Sequence, residues 1–320
     1  VNFQQLRAVR ETVRQGFNLT LVAEALHTSQ PGVSRQLKEL EDELGVLLFR
    51  RAGRRLLGLT PPGEALLPVV ERLLQDAENL KRAGADFAAS DHGLLKVAAT
   101  HSQARYALPG AVRDFRTSHP GVTLHLQQGS PRQVAEAVLS GAADLGVATE
   151  VLADFPGLLA LPCYRWTHAV VVPRGHALAA EAAAGRTLTL ARLAQCPLVT
   201  YEAGYTGRRQ IDEAFAREGL AADVVLQAMD ADVIKTYVEL GIGVGVIAAM
   251  AFDEARDGGL AALDARHLFP MQTTRVAVRR DAFLRGYVFD FIEAFAPTLT
   301  RALLQRALAA PVGDATDFEI

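Results

Sequence analysis

Residues 29–45 constrain this chain more than any other stretch. Ser29 is a residue type that caps helix N-termini, and Pro31 falls in the first turn, where a missing N–H costs nothing. Val33, Leu37, Leu40 and Leu44 then recur at helical spacing until Gly45, a natural helix terminator. One face is therefore apolar, and Gln30, Ser34, Arg35 and Lys38 fall on the other. A short helix through Leu21, Val22, Ala25 and Leu26 precedes it, and a first helix carries Leu6, Val9 and Val13 up to Gly16 and Asn18. A solvated face would account for the charges alone. The short helix and brief turn ahead of it favour a helix-turn-helix, whose second helix enters a DNA major groove. Ser29, Gln30, Pro31, Ser34, Arg35 and Lys38 are then the candidate contacts to bases and phosphates.

Past Gly45 the chain reads as two short strands around a basic turn, with Leu47-Leu48-Phe49-Arg50-Arg51 before Gly53 and Arg54-Arg55-Leu56 after it. This is a wing, and Arg50, Arg51 and Arg54 are candidate phosphate contacts. Thr60 caps a long helix that starts at Pro61-Pro62, and Pro68 is expected to bend it. Its apolar stripe from Leu66 to Leu80 suits a linker that pairs with its twin in a second subunit, because no neighbouring element is evident. Residues 1–60 carry nine basic and six acidic side chains, although the whole chain is at −3. A basic head on an acidic body points to a polyanionic partner for the head alone.

From about Gly93 strands and helices alternate. Strands are expected at Leu94–Ala99, Val122–Leu126, Asp144–Ala148, His168–Val172, Leu198–Thr200, Val224–Gln227 and Arg275–Val278. Helices are expected at Tyr106–Ser118, Pro131–Leu139, Arg208–Arg217, Ala231–Leu240 and Leu284–Phe295. The order implies parallel sheets flanked by helices, arranged as two α/β lobes with the first interrupted by the second. From about Leu304 a last helix and polar tail are expected, with no role assigned. With 320 residues, half of them apolar, the chain can bury several cores.

In such sheets ligands gather beyond the strand ends. Thr100, Ser102 and Gln103 follow one strand end, Thr149 follows another, and Thr200 and Glu202 lie at a third. Hydroxyl and amide donors without lysine or arginine suit a small oxyanion, although helix and turn capping would also explain them. Gly241-Ile242-Gly243-Val244-Gly245 precedes a strand rather than following one, so it fails as a dinucleotide loop. Helix termination and close packing between lobes explain it better. The eight histidines lack HxxxH or HExxH spacing, so no metal is expected, nor any cofactor. Trp166 reads as core or interface. Cys163 and Cys196 have no CxxC partner and suit buried thiols in a reducing compartment. No apolar run approaches membrane-spanning length, and the first residues lack a signal-peptide pattern, so a cytoplasmic location is expected. Without that pattern, and with a basic head, a solute-binding protein is disfavoured. No nucleophile–base–carboxylate set suggests an enzyme.

Ala23-Glu24-Ala25-Leu26-His27-Thr28-Ser29-Gln30-Pro31-Gly32-Val33-Ser34-Arg35-Gln36-Leu37, with Leu48-Phe49-Arg50-Arg51 and Leu59-Thr60-Pro61-Pro62-Gly63, resembles the LysR-type transcriptional regulators. The resemblance covers essentially the whole chain. Thr100 through Pro109, Gln128-Gly129-Ser130-Pro131, Ala148-Thr149-Glu150, Leu161-Pro162-Cys163-Tyr164, Thr206-Gly207-Arg208 and Asp230 through Val238 are most similar to the CysB-like branch. The resemblance implies a winged helix-turn-helix over 1–59, a linker helix over 60–90 and a periplasmic-binding-protein-like effector domain over 91–320. Its first lobe would span about 91–163 and 269–296, and its second about 164–268. It further implies a tetrameric DNA-binding activator of sulfur-assimilation and cysteine-synthesis genes that works with RNA polymerase. Acetylserine, sulfate or thiosulfate would be its effectors. A regulator confined to sulfonate and other organic sulfur fits the same motifs. Enteric members of the branch carry threonine where this chain has Glu202. A carboxylate there would repel sulfate and attract the amine of O-acetylserine.

Overall fold

The computed structural model describes residues 1–53, 55–88, 92–205 and 207–310, divided between two compact units, Val1–Phe87 and Ala88–Ile320. In the first unit, helices α1 (Phe3–Arg14), α2 (Leu19–Ala25) and α3 (Gln30–Leu44) precede a hairpin of β1 (Phe49–Ala52) and β2 (Arg55–Leu59), and α4 (Pro61–Ala88) follows. Each early helix begins at a polar cap. Asn2 forms a reciprocal capping box with Gln5, Asn18 accepts from the Thr20 and Leu21 amides, and Ser29 accepts from Gly32. Such caps contribute about 1 kcal/mol each. Gly45 ends α3 at φ 70°, in the left-handed region that favours glycine.

Leu6, Val9, Val22, Val33, Leu37, Leu40, Leu48 and Phe49 form one core, and Val70 and Leu74 of α4 complete it. The expectation that the long helix lacks a neighbour is therefore corrected: its first turns are part of this core. The helix continues through Pro68. Gly63, in its first turn, is required by space, since a Cβ there would lie 2.1 Å from the Leu48 carbonyl oxygen.

The second unit contains two five-stranded sheets. The first lobe uses β3 (Gly93–Ala99), α5 (Leu108–Ser118), β4 (Val122–Gln128), α6 (Pro131–Leu139), β5 (Leu145–Ala148) and β6 (Leu158–Trp166). The chain crosses over at Thr167 into β7 (His168–Pro173), α7 (Ala177–Ala183), α8 (Leu190–Leu193), β8 (Leu198–Tyr201), α9 (Arg208–Arg217), β9 (Val224–Ala228), α10 (Ala231–Glu239), β10 (Val244–Ala248) and β11 (Leu260–Asp264). It returns along β12 (Gln272–Arg279) and ends with α11 (Gly286–Phe295) and α12 (Arg301–Ala309). The expected polar tail past residue 310 lies outside the described residues.

Strand order is β4-β3-β5-β12-β6 in the first sheet and β11-β7-β10-β8-β9 in the second. Both are mixed rather than parallel as expected. Strand β12 runs against β5 and β6, and β7 runs against β10 and β11. The reversed strand in each sheet is the one by which the chain enters from the other lobe. It starts at the interlobe side, where its neighbours end. Strands β6 and β11 and helices α7 and α8 were absent from the sequence reading. Gly243 and Gly245 do serve close packing, but within the second lobe: a Cβ would lie 2.4 Å from the Pro197 carbonyl oxygen and 2.5 Å from Val171 Cγ2, respectively.

Candidate functional site

The DNA-facing candidates are held by the first unit as follows. Ser29, Gln30 and Pro31 form the exposed start of α3, Ser34 is half-buried one turn on, and Arg35 and Lys38 are exposed beyond it. Arg35 donates to Glu39 at 2.7 Å along its own helix. That exposed pair can be exchanged for a phosphate at little cost. Arg50 is exposed, with its Nε donating to the Leu59 carbonyl at 3.0 Å. Arg51 differs from the others: its guanidinium donates to Glu41, a buried carboxylate. This side chain braces the wing against α3. Arg54 lies outside the described residues.

The effector candidates lie at or just past the ends of β3, β5 and β8. Strands β3 and β5 pair in parallel, so Thr100 and Thr149 emerge side by side, and the Thr100 amide donates to Val147 at 3.2 Å. Thr100, Ser102, Gln103, Thr149 and Thr200 are all buried, at 2% exposure or less. Thr100 Oγ1, Ser102 Oγ and His101 Nδ1 are buried and make no well-formed hydrogen bond among the described residues, although the Tyr201 hydroxyl lies close enough to Ser102 to interact with it. A buried hydroxyl without a partner loses about 1–3 kcal/mol, so such a group is suited to hold something from outside the chain.

Gln103 and Thr200 behave otherwise. Gln103 Nε2 donates to Thr274 at 3.0 Å and its oxygen accepts from Tyr164, which knits the segment to β12 and β6. Thr200 spends its proton on the Val246 carbonyl at 3.0 Å. Glu202 is exposed, and its backbone N–H extends the β8–β9 ladder to Ala228. A cavity of about 490 Å3 opens beside this cluster, between Thr149 and Asp154 of the first lobe and Tyr205, Gly207 and Arg208 of the second. Only Thr149 among the candidates lines it.

The sequence reading missed the residues that join the lobes. Residues Gln103–Ala107 form a π-helical turn, a form concentrated at functional sites. From it Tyr106 donates to Asp232 Oδ1 at 2.7 Å, and Arg105 pairs with Asp232 Oδ2. Burial works to raise the Asp232 carboxyl, but the Tyr106 bond and the Lys235 and Arg105 charges outweigh it and hold it below its ordinary value. His101, Asp230 and Asp232 bring potential ligand atoms within 4.8 Å of one another. Both Asp232 oxygens are already committed, which argues against a cation there. Arg105, Tyr106 and Asp232 all stood in stretches that resemble the CysB-like branch, but no local pattern joins residues so distant in sequence.

A winged helix-turn-helix followed by a two-lobed α/β body with hydroxyls at its strand ends defines a ligand-responsive DNA-binding regulator. Residues 3–64 match the bacterial regulatory helix-turn-helix protein, lysR family, and residues 88–300 match the LysR substrate binding domain. The chain belongs to the LysR-type transcriptional regulators, in the CysB-like branch, and is not an enzyme. It is 56% identical to the HTH-type transcriptional regulator SsuR of Burkholderia cenocepacia, over 94% of this chain and 97% of that one. It is 52% identical to the regulator CysB of the same organism, over the full length of both. The crystal structure of the cofactor-binding domain of the Cbl transcriptional regulator superposes with a TM-score of 0.65 at 43% identity, covering 69% of this chain and 95% of that one.

Proposed function

We propose that the protein controls genes of sulfur assimilation and cysteine synthesis, and that a small oxyanion or acetylserine held between the lobes sets its activity. The observation that carries this reading is the pair of buried hydroxyls without a well-formed hydrogen bond, Thr100 Oγ1 and Ser102 Oγ, at the end of β3. Two neutral hydroxyl donors suit sulfate, thiosulfate or a carboxylate. Thr149 sits next to them, and Gln103 acts chiefly by fixing the turn. Glu202, exposed at the rim, would favour a ligand bearing an amine over a bare dianion.

Gln30, Ser34, Arg35 and Lys38 would read operator DNA in the major groove, with Ser29 and Pro31 shaping the helix start, while Arg50 and Arg54 would hold phosphates. Self-association is supported by apolar side chains left exposed: Val233, Tyr237 and Leu240 at helical spacing on and just past α10, and Val69, Leu73 and Leu80 on α4. A tetramer acting with RNA polymerase in the cytoplasm is the assembly this reading carries. No described helix is long and apolar enough to cross a membrane. A narrower regulon, confined to sulfonate and other organic sulfur, draws on the greater identity to the relative named SsuR.

Calorimetric titration of the whole protein with O-acetylserine, N-acetylserine, sulfate and thiosulfate tests the effector. Saturable binding of at least one compound that Ser102→Ala abolishes supports the reading. Heat no greater than dilution for all four contradicts it.

A further inference from the structure

We infer that Asp232 is the second-lobe anchor of a clamp that couples effector seating to lobe closure; this inference rests on the effector reading above. The clamp has two jaws. Arg105 and Tyr106 belong to the first lobe, on the π-helical turn that begins at Gln103. Asp232 belongs to the second lobe, in the first turn of α10. Its two oxygens are divided between them, Oδ1 accepting from Tyr106 at 2.7 Å and Oδ2 pairing with Arg105.

The anchor is itself fixed from below. Lys235, 7% exposed, lies 3.3 Å from Asp232 Oδ1 and bonds Asp257 at 2.9 Å and the Ala251 carbonyl at 2.8 Å. A cation buried between two carboxylates holds the Asp232 side chain in one position. The Tyr106 ring adds an apolar part: it packs against the second-lobe cluster of Tyr201, Ala231 and Ile234, with Lys235 Nζ 5.5 Å from its centroid. A first-lobe aromatic thus completes a second-lobe core.

The coupling follows from the shortness of the connection. Thr100 and Ser102, the buried hydroxyls without a well-formed hydrogen bond, lie three to six residues ahead of Arg105 and Tyr106. Gln103, between them, is bonded to Thr274 and Tyr164, so the segment cannot absorb a shift by loosening. A ligand that orders Ser102 therefore orders the jaw, and a closed clamp presents the hydroxyls already placed. Linkage requires the two effects to be equal in size.

The test uses full-length protein with spin labels on Glu136→Cys in α6 and Glu218→Cys after α9, both exposed, diluted into unlabelled protein. The native cysteines are buried and stay unlabelled. Interlobe distances are read by double electron–electron resonance, and sulfate and N-acetylserine affinities by calorimetry, in the parent, Asp232→Asn, Arg105→Gln, Tyr106→Phe and the Asp232→Asn/Arg105→Gln double variant. The clamp predicts longer, broader ligand-free distances in Asp232→Asn and Arg105→Gln. It also predicts affinity for the bound compound lowered about five- to tenfold, with the double variant no worse than the worse single. Tyr106→Phe shows the same change in smaller measure. Ligand-free distances and affinities in Asp232→Asn equal to the parent's would overturn it, even if melting temperature fell. If the parent binds neither these two compounds nor O-acetylserine or thiosulfate, the effector reading fails and the coupling with it. The ligand-free distances still show whether Asp232 holds the lobes together.

Discussion

The Arg51 guanidinium meets the Glu41 carboxylate at 2.7 Å, and Glu41 is 4% exposed. The same carboxylate accepts from the Leu48 and Phe49 amides at 2.8 and 3.1 Å, so it terminates the approach to the wing as well as pairing with it. One acidic residue on α3 thereby fixes the angle at which β1 leaves the helix. Removing it strands two buried amides and an arginine at once. Glu41→Ala is expected to destabilise the DNA-binding unit by about 2–4 kcal/mol, measured by chemical denaturation. A loss under about 0.5 kcal/mol, the range of ordinary surface changes, would show that the brace is not structural.

The hydroxyl cluster predicts a separation of stability from affinity. Thr100→Val removes an oxygen that satisfies no partner in the protein, so the ligand-free form should be as stable as the parent or more so, by up to about 1 kcal/mol. Effector affinity should nevertheless fall at least tenfold. Thermal melts with and without ligand measure both, and a variant that loses stability yet keeps its affinity would identify Thr100 as a capping residue only.

Cys163 supplies a chemical check on the first-lobe core. Burial pushes its thiol up to about 12, against smaller opposing contributions from the Val276 backbone and Arg275. The thiolate is the reactive form. An aromatic disulfide reagent at pH 8 should leave Cys163 unmodified in the native protein and react once the protein is unfolded. Rapid native labelling, located by peptide mapping, would contradict this packing.

The acid side of the stability profile follows from Asp232. Its carboxyl lies below the ordinary value of 3.8 in the folded protein. A group depressed by folding contributes stability that is complete above its unfolded value and is lost as pH falls through the folded one. The Asp232 contribution should thus be constant through neutral pH and fade only below about pH 4. Denaturation from pH 3 to 7 should show Asp232→Asn converging on the parent at the acid end, and parallel curves throughout would contradict it.

Legibility in the sequence divided by distance along the chain. Caps, stripes and terminators act within one or two turns, so Ser29, the Val33–Leu44 stripe and Gly45 announced α3 directly. The wing was equally open, since its strands are joined by a short turn. Strand direction was not. That β12 and β7 run backwards depends on where the chain re-enters each lobe, which no local periodicity records. The short helices α7 and α8 lay hidden for a different reason, being too brief to establish an apolar stripe. Among the candidate site residues, the sequence located the strand ends carrying Thr100, Ser102 and Thr149. It could not foresee that Thr200 gives its proton to Val246, that Gln103 is bonded to Thr274, or that Arg51 turns inward to Glu41. The Arg105–Tyr106–Asp232 contact was invisible for the same reason, because its members are more than a hundred residues apart.

The most direct test of the account is fluorescence anisotropy of the protein on a labelled fragment upstream of its own host's cysteine- or sulfonate-utilisation genes. It would be followed across salt concentrations and with each of the four candidate effectors. The account predicts sequence-dependent binding that weakens steeply with salt, is lost on substituting Gln30 and Lys38 together by alanine, and shifts at least fivefold with one effector. Binding equal on operator and scrambled DNA at every salt concentration, unaffected by all four compounds, would contradict it.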